Sequence, residues 1–434
     1  MRRRALSLVL LVLVLPSATA RTQPSRAADH VIVIMLDGAR TDVLHAADAP
    51  NIKSLERAGT TFAQARTVYP SQTRVAFVSL PTGAYPASHG IVGGTDFRDA
   101  SWQSIPLGDA ATPERQQVLC MRPTIFEELK AAGLTSLYAA MKGYELVGAR
   151  GATWTINGGK IFDPRAWESR YEPQASGSAR LAFWYKLQLS RRLLDEALPL
   201  MRQHRPNFVI LNLGSADYTA HSFGPETPEY RLTIEFLDAL VGELVKTIDD
   251  LGLRPRTTFV LSADHGFSQV HPTVVIAPFA NPTVQPLVDR GIENFVSDTG
   301  GTSMGVYLRD KSRVKEAVDI LRQQWWSEAV YCEDREARCD RSLSDLKALF
   351  PGRSPDLMVD LDNDASLSRS RPGAHGSLRS QDMEIPLIFS GAGIVRGVRS
   401  KASLVDIAPT ALKLLGLQPT LLRPDGHVLD EVFR

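Results

Sequence analysis

The stretch HVIVIMLDG, residues 30–38, decides the fold. From Val31 to Leu36 the residues are all apolar, and the run ends abruptly at Asp37 and Gly38. A strand with one wet face alternates apolar and polar side chains, whereas a continuous run suits a strand covered on both faces, as in a parallel sheet flanked by helices. Outward from this segment, 135–139, 208–213, 258–262, 305–308 and 385–389 read as further strands. Helical spacing predicts helices over 52–58, 75–80, 124–132, 181–202, 229–251, 312–326 and 404–415. Strand and helix alternate, so the expected class is α/β, with a largely parallel central sheet sandwiched by helices.

The chain has 434 residues, and its first twenty combine Arg2, Arg3 and Arg4, an apolar run over 5–15 and the small residues Ser17 to Ala20. Those are the parts of a cleavable export signal. The apolar run is short of the roughly 20 residues needed to cross a bilayer. An exported protein is expected, periplasmic or secreted, with no transmembrane segment in the mature chain. The net charge is +1 for the whole chain and becomes −2 once the three leader arginines are removed. So balanced a chain argues against a stable nucleic-acid partner. Residues 30–434 read as one catalytic domain, with polar, Gly- and Pro-containing insertions at 93–123 and 148–178 around the site. Segment 332–369 is charged and reads as a surface excursion. Cys332 and Cys339 are either a small-loop disulfide or two surface thiols, and Cys120 is expected to be buried and unpaired.

Four segments place acidic and histidine residues just beyond apolar strands: Asp37-Gly38, Asp217 to His221, Asp264-His265-Gly266 and His375-Gly376. In an open α/β sheet the carboxyl ends of the strands face one crevice, where groups distant in sequence can meet. Each pair alone is ordinary, since the 217/221 spacing is one helical turn and adjacent Asp-His pairs are common in loops. Together they offer carboxylate and imidazole ligands enough for two divalent ions, and that mixture favours zinc or a similar borderline metal.

A fifth segment carries a recognisable pattern: YPSQTRV, residues 69–75, followed by SLPTGAYPASHGI, residues 79–91. With the other four, it resembles the alkaline phosphatase superfamily, and within it the nucleotide pyrophosphatase/phosphodiesterase branch, whose threonine nucleophile precedes a T-G-x-Y-P-x-x-H-G stretch. The likeness runs from Val31 to Leu415. It implies an alkaline-phosphatase-like fold and two Zn2+ per chain, with other divalent metals able to share such ligands. One site would contain Asp37, Thr73, Asp264 and His265, and the other Asp217, His221 and His375. Thr73 would be the nucleophile in hydrolysis of phosphodiester or nucleotide pyrophosphate bonds through a phosphothreonine intermediate. Two ions would bring +4 against −4 from three aspartates and the alkoxide, so a phosphate ester would meet no net repulsion.

The pattern departs from the branch at Ala76, where many relatives carry an asparagine that binds a phosphoryl oxygen; such a contact is worth about 3 kcal/mol. Lys142 is the candidate replacement. Its surroundings, AAMKGY at 139–144, are similar to the Ser-x-Lys-x-Arg region of the periplasmic phosphate-irrepressible alkaline phosphatases, with Ala140 and Tyr144 in place of the Ser and Arg. Lys142 is therefore expected to act in catalysis and to bind substrate. Asn212 and Trp154 are further candidate substrate contacts, Trp154 by stacking on a base or aromatic leaving group. His89 is expected to order a turn. The substrate would be a small phosphate ester or nucleotide. A phosphomonoesterase is the alternative enzyme, and a catalytically weak binding protein retaining the fold is the alternative of another kind. Ser71-Gln72-Thr73-Arg74 lacks the C/S-x-P-x-R pattern of a sulfatase.

Overall fold

The computed structural model describes residues 26–94, 96–98, 101–106, 112–158, 179–277, 282–334, 336–367 and 371–434. The expected export signal and residues 159–178 of the second expected insertion lie outside them. His30–Leu36 is the central strand of an eight-stranded sheet and is buried from Val31 onward, as its unbroken apolar run requires. It pairs in parallel with Phe208–Leu213 on one side, Val31 opposite Phe208, and with Thr257–Ser262 on the other. Beyond Phe208–Leu213 lie Ser136–Ala140 and Trp154–Asn157, both parallel. Beyond Thr257–Ser262 come Leu387–Gly391, Thr60–Arg66 and Gly397–Ser403. Leu387–Gly391 runs against both of its neighbours.

Helices cover the sheet for local reasons that the sequence carries. Thr227 caps Pro228–Asp250 with Pro at the first turn, and that helix buries Ile234, Leu237, Val241, Leu244 and Ile248, a stripe at helical spacing. Thr124 and Glu127 form a reciprocal cap at the start of Ile125–Ala131. Together with the sheet, these faces enclose the main core.

A second sheet departs from the sequence reading. Asn294–Asp298, Ser303–Leu308, Leu357–Leu361 and Ser327–Cys332 form a four-stranded antiparallel sheet in that order. It has its own core, including Val306, Leu321, Val330 and Val359. The run at 305–308 therefore does not join the central sheet. Nor is 332–369 all surface, because Leu357–Leu361 is a fully buried strand of the second sheet. The helix expected over 312–326 is shorter, Val314–Leu321; Trp326 packs in the second core while Trp325 is exposed. The hairpin Asp96–Arg98 with Ser104–Pro106 and the helix Pro113–Leu119 occupy the first expected insertion. The described start of the second belongs to the main fold, since Trp154–Asn157 is the edge strand of the central sheet. Cys332 and Cys339 form a disulfide, and Cys120 is buried with a free thiol.

Candidate metal centre

Asp37, Asp217 and Asp264 meet at the carboxyl ends of three adjacent parallel strands, although up to 227 positions separate them in sequence. The Asp37-Gly38 turn makes this approach close. Gly38 has φ +72°, and a Cβ there would lie 3.0 Å from the Asp217 Cα, so the turn needs glycine for both conformation and space. The Gly38 N–H donates to Asp264 Oδ1 at 3.0 Å, and the Asp217 N–H donates to the Asp37 carbonyl at 2.9 Å. Backbone hydrogen bonds thus lock the three acidic segments together.

Each of the three histidines contacts a backbone carbonyl through Nδ1: His265 that of Gly266 at 2.8 Å, His221 that of Gly373 at 3.0 Å, and His375 that of Ser71 at 2.9 Å. A carbonyl can only accept, so in the neutral imidazole the proton sits on Nδ1 and the Nε2 lone pair is left for a ligand. Burial keeps these rings neutral. It holds His221 down to about 4 and pushes His265 and His375 in the same direction. His221, His265 and His375 turn Nε2 toward Asp217 Oδ1 at 3.4, 4.0 and 3.6 Å.

Two groups of donor atoms result, Asp217–His221–His375 and Asp37–Asp217–His265, each with its atoms within 4.8 Å of one another. The first is the set anticipated for one ion. The second contains Asp37 and His265 of the other anticipated set, with Asp217 joining them; the Asp264 Oδ2 lies 3.3 Å from His265 Nε2 at its side. Asp37 Oδ1, Asp217 Oδ1 and Asp264 Oδ2 are buried without a hydrogen-bond partner. Orphaned carboxylate oxygens beside inward lone pairs are costly unless a cation satisfies them, so the donor set fits divalent metal ions.

Electrostatics divides the carboxylates. Burial, reinforced by the Asp264 charge, raises Asp37 to about 8, while burial raises Asp264 to about 6 against the pull of Lys142. Burial would raise Asp217 as well, but Lys142 reverses it, joined by the imidazoles only where they are protonated, and the group is held well below the usual carboxylate range. Lys142 Nζ lies 3.1 Å from Asp37 Oδ2, 2.9 Å from Asp217 Oδ2 and 3.2 Å from Thr73 Oγ1. These carboxylates outweigh desolvation and keep the ammonium charged.

Thr73 opens the helix Thr73–Thr82, after an extended Gln72 that supplies no side-chain cap. Its hydroxyl is 3.1 Å from His265 Nε2 and accepts from Lys142. A hydroxyl at a helix start, beside an ammonium and two acid-imidazole groups, can be activated as a nucleophile and present the helix amides to phosphate oxygens.

Other expected residues fall elsewhere. Asn212 is fully buried and donates to Asp37 Oδ2 at 2.9 Å, an arrangement that orients Asp37. Trp154 begins its strand, at the end of the sheet away from the acidic turns, and stacks on His204 with centroids 4.5 Å apart. Parallel strands bring their carboxyl ends to the site, whereas Trp154 is at the opposite end of its strand. Ala76 is buried within its helix, and its methyl side chain has no polar atom to offer. His89 does order a turn, accepting from the Ile91 N–H at 3.1 Å and lying 2.7 Å from Ser79 Oγ. Two supporting residues escaped the sequence reading. Phe267 packs edge-on against His221 and His375, and Glu145 accepts from the N–H groups of Met141 and Lys142. Only the spacing of Glu145, three residues after Lys142, hints at its role in sequence.

No helix among the described residues is long and apolar enough to cross a membrane. The chain is 23% identical over 442 residues to human ectonucleotide pyrophosphatase/phosphodiesterase family member 7, covering 98% of this chain and 87% of that protein. It is 26% identical to a venom phosphodiesterase of Macrovipera lebetinus over 242 residues, a match that spans 55% of this chain but only 26% of the venom protein. Among solved structures, wild-type alkaline phosphatase PafA shares the fold with a TM-score of 0.71 at 18% identity, over 94% of this chain and 99% of that one. The family model for type I phosphodiesterase/nucleotide pyrophosphatase matches residues 31–381. That span takes in all the acidic and histidine segments of the centre, and the chain belongs to the type I phosphodiesterase/nucleotide pyrophosphatase family.

Proposed function

We propose that this chain is an exported two-metal hydrolase that cleaves phosphodiester or nucleotide pyrophosphate bonds with Thr73 as nucleophile, residues 30–434 forming one catalytic unit. The observation that carries the reading is Thr73 Oγ1 at a helix start, 3.1 Å from His265 Nε2 and 3.2 Å from Lys142 Nζ, beside both donor groups. Asp37, Asp264 and His265 with Thr73 would hold one ion, and Asp217, His221 and His375 the other, with Asp217 also within reach of the first. When bound, zinc ions supply Lewis acidity that favours an alkoxide and stabilises charge on phosphoryl oxygens.

The chain's own groups do the positioning. Lys142 donates to Thr73 Oγ1 and so favours the deprotonated oxygen. That oxygen forms a bond to phosphorus as the bond to the leaving oxygen breaks, giving phosphothreonine; water then cleaves the new ester and restores Thr73. The first amides of Thr73–Thr82 face the phosphoryl oxygens. Asn212 and the Gly38 amide fix the orientation of Asp37 and Asp264. A second reading, phosphomonoester hydrolysis, is favoured by Lys142 itself, since an ammonium beside the nucleophile suits a dianionic phosphate.

Turnover of bis-p-nitrophenyl phosphate and p-nitrophenyl phosphate by zinc-loaded protein tests both readings. Thr73→Ala is expected to lose about a thousandfold or more in kcat with an unchanged melting profile. Wild-type activity equal to that of Thr73→Ala would refute the nucleophile, and the ratio of the two substrates ranks the readings.

A further inference from the structure

Two loops carry one imidazole of each donor group, and a single carboxylate from a third segment joins them. Asp382, in the short helix Ser380–Met383, is fully buried. Its Oδ1 accepts from Ser268 Oγ at 2.7 Å, three residues beyond His265. Its Oδ2 accepts from the Ser377 N–H and hydroxyl at 3.1 and 2.6 Å, two residues beyond His375, and from Thr302 Oγ1 at 2.9 Å. The backbone of the same turn holds the His265 loop again, since the Gly266 N–H donates to the Asp382 carbonyl at 2.8 Å and the Phe267 N–H to that of Gln381 at 2.7 Å. Gly266 is needed for this approach: a Cβ there would lie 1.9 Å from the Gln381 carbonyl oxygen.

Four hydroxyl and amide donors on one buried carboxylate offset its desolvation and make a rigid node. The two histidine loops are also paired through a short ladder, Ala374 opposite Ser268. His375 therefore lies between two ties to the His265 loop, the ladder at Ala374 before it and Asp382 through Ser377 after it. On the Asp382 side the hold extends to the loop that precedes Thr73. Ser71 Oγ donates to the Ser377 carbonyl at 2.8 Å, and the Ser71 N–H to the Gly376 carbonyl at 3.3 Å. Asp382 itself lies in neither donor group; what it fixes is where the ligands stand.

Resting on the two-metal reading above, we propose that Asp382 is a positioning residue that sets the separation of His265 and His375, and with it the spacing of the two ions and their register with the nucleophile loop. The two imidazoles belong to different donor groups, so a loop that drifts moves one ion relative to the other. Two-ion hydrolysis depends on that distance, because the attacking and the leaving oxygen are each served by one ion.

The test uses the full chain as wild type, Asp382→Ala, Asp382→Asn, Ser268→Ala, Ser377→Ala and, as a control, Asp238→Ala. Asp238 is another buried carboxylate, on the helix Pro228–Asp250, accepting from Asn51 Nδ2 and the Ile52 N–H at 2.7 Å each. Competition with a chelator reads the zinc dissociation constants, and cobalt(II) in place of zinc reads ligand geometry by its visible absorption. Asp382→Ala is expected to weaken zinc binding by about tenfold or more and to shift the cobalt bands, with Ser268→Ala and Ser377→Ala reproducing part of both effects. Asp382→Asn should stay within about threefold of wild type, because the amide oxygen can serve Ser377 and Thr302 while the Ser268 hydroxyl turns to accept from the amide N–H. Asp238→Ala should lose stability yet keep the wild-type constants and spectrum. Wild-type constants and spectra in Asp382→Ala, Ser268→Ala and Ser377→Ala alike overturn the inference. So does an equal loss in Asp238→Ala, which would mean that the centre answers to stability alone, and so does an Asp382→Asn variant as impaired as Asp382→Ala, which would assign the effect to charge. If wild type binds a single zinc, the two-metal reading fails, while the remaining constant and the cobalt spectrum still decide Asp382.

Discussion

The imidazoles of His265 and His375, one from each donor group, stack with centroids 3.7 Å apart and 13° between their planes. Two rings this close cannot both carry a proton without strong repulsion, and burial, followed by the neighbouring His265, holds His375 in the neutral form. The stack also fixes the spacing of the two groups, because each ring is tied to backbone through Nδ1.

Asp217 belongs to both donor groups and His221 to one. His221→Ala is expected to purify with about one divalent ion per chain, and Asp217→Ala to lose both. Elemental analysis of folded, gently purified protein checks this. Equal metal content in the two variants would contradict the shared role of Asp217.

Asn212 holds Asp37 by a single buried hydrogen bond. Asn212→Ala should weaken metal binding by about tenfold to a hundredfold, with little direct effect on the binding of a phosphate analogue once metal is saturating. Competition with a chelator, followed by activity at saturating zinc, separates the two effects. A binding defect that persists at saturating metal would return Asn212 to the substrate.

Beneath the nucleophile loop, Asp360 accepts from Tyr69 and Tyr331 hydroxyls at 3.1 and 2.9 Å and from the Leu378 N–H at 2.9 Å. Burial raises its carboxyl to about 7. Between roughly pH 4 and pH 7 the folded chain keeps a proton that the unfolded chain has released, so this group makes stability fall as pH rises, by at most about 1.4 kcal/mol per pH unit. Asp360→Asn should remove that slope. Urea unfolding from pH 4 to pH 8 should show the variant gaining on wild type up to about pH 7 and then running parallel; parallel curves throughout would discard the assignment.

The Cys332–Cys339 disulfide closes a short loop at the second sheet, remote in the chain from the acidic turns. Replacing both cysteines with alanine should cost about 2–3 kcal/mol of unfolding free energy, with kcat/KM within about twofold of wild type. A large activity loss in a folded variant would show that the second sheet is coupled to the centre.

Sequence alone determined the middle of the central sheet and the candidate donors, because both depend on local pattern, whereas the strands Thr60–Arg66, Trp154–Asn157 and Gly397–Ser403 nearer its edges were not read from it. The unbroken run before Asp37 demands cover on two faces, and a turn after such a strand has one place to go, the carboxyl edge of the sheet. Thr73, Asp217, His265 and His375 were legible for that reason, helped by the motif around Thr73. The second sheet was not, since the run 305–308 gives no local sign of which sheet it will join. Tertiary structure alone decided what each polar group faces. It turned Asn212 onto Asp37, set Trp154 on His204 at the far end of the sheet, and brought Arg74 onto Tyr144. Those contacts join residues tens of positions apart or more, and they depend on which strands become neighbours. Local composition fixes the candidate donors; the packing of the sheet fixes their partners.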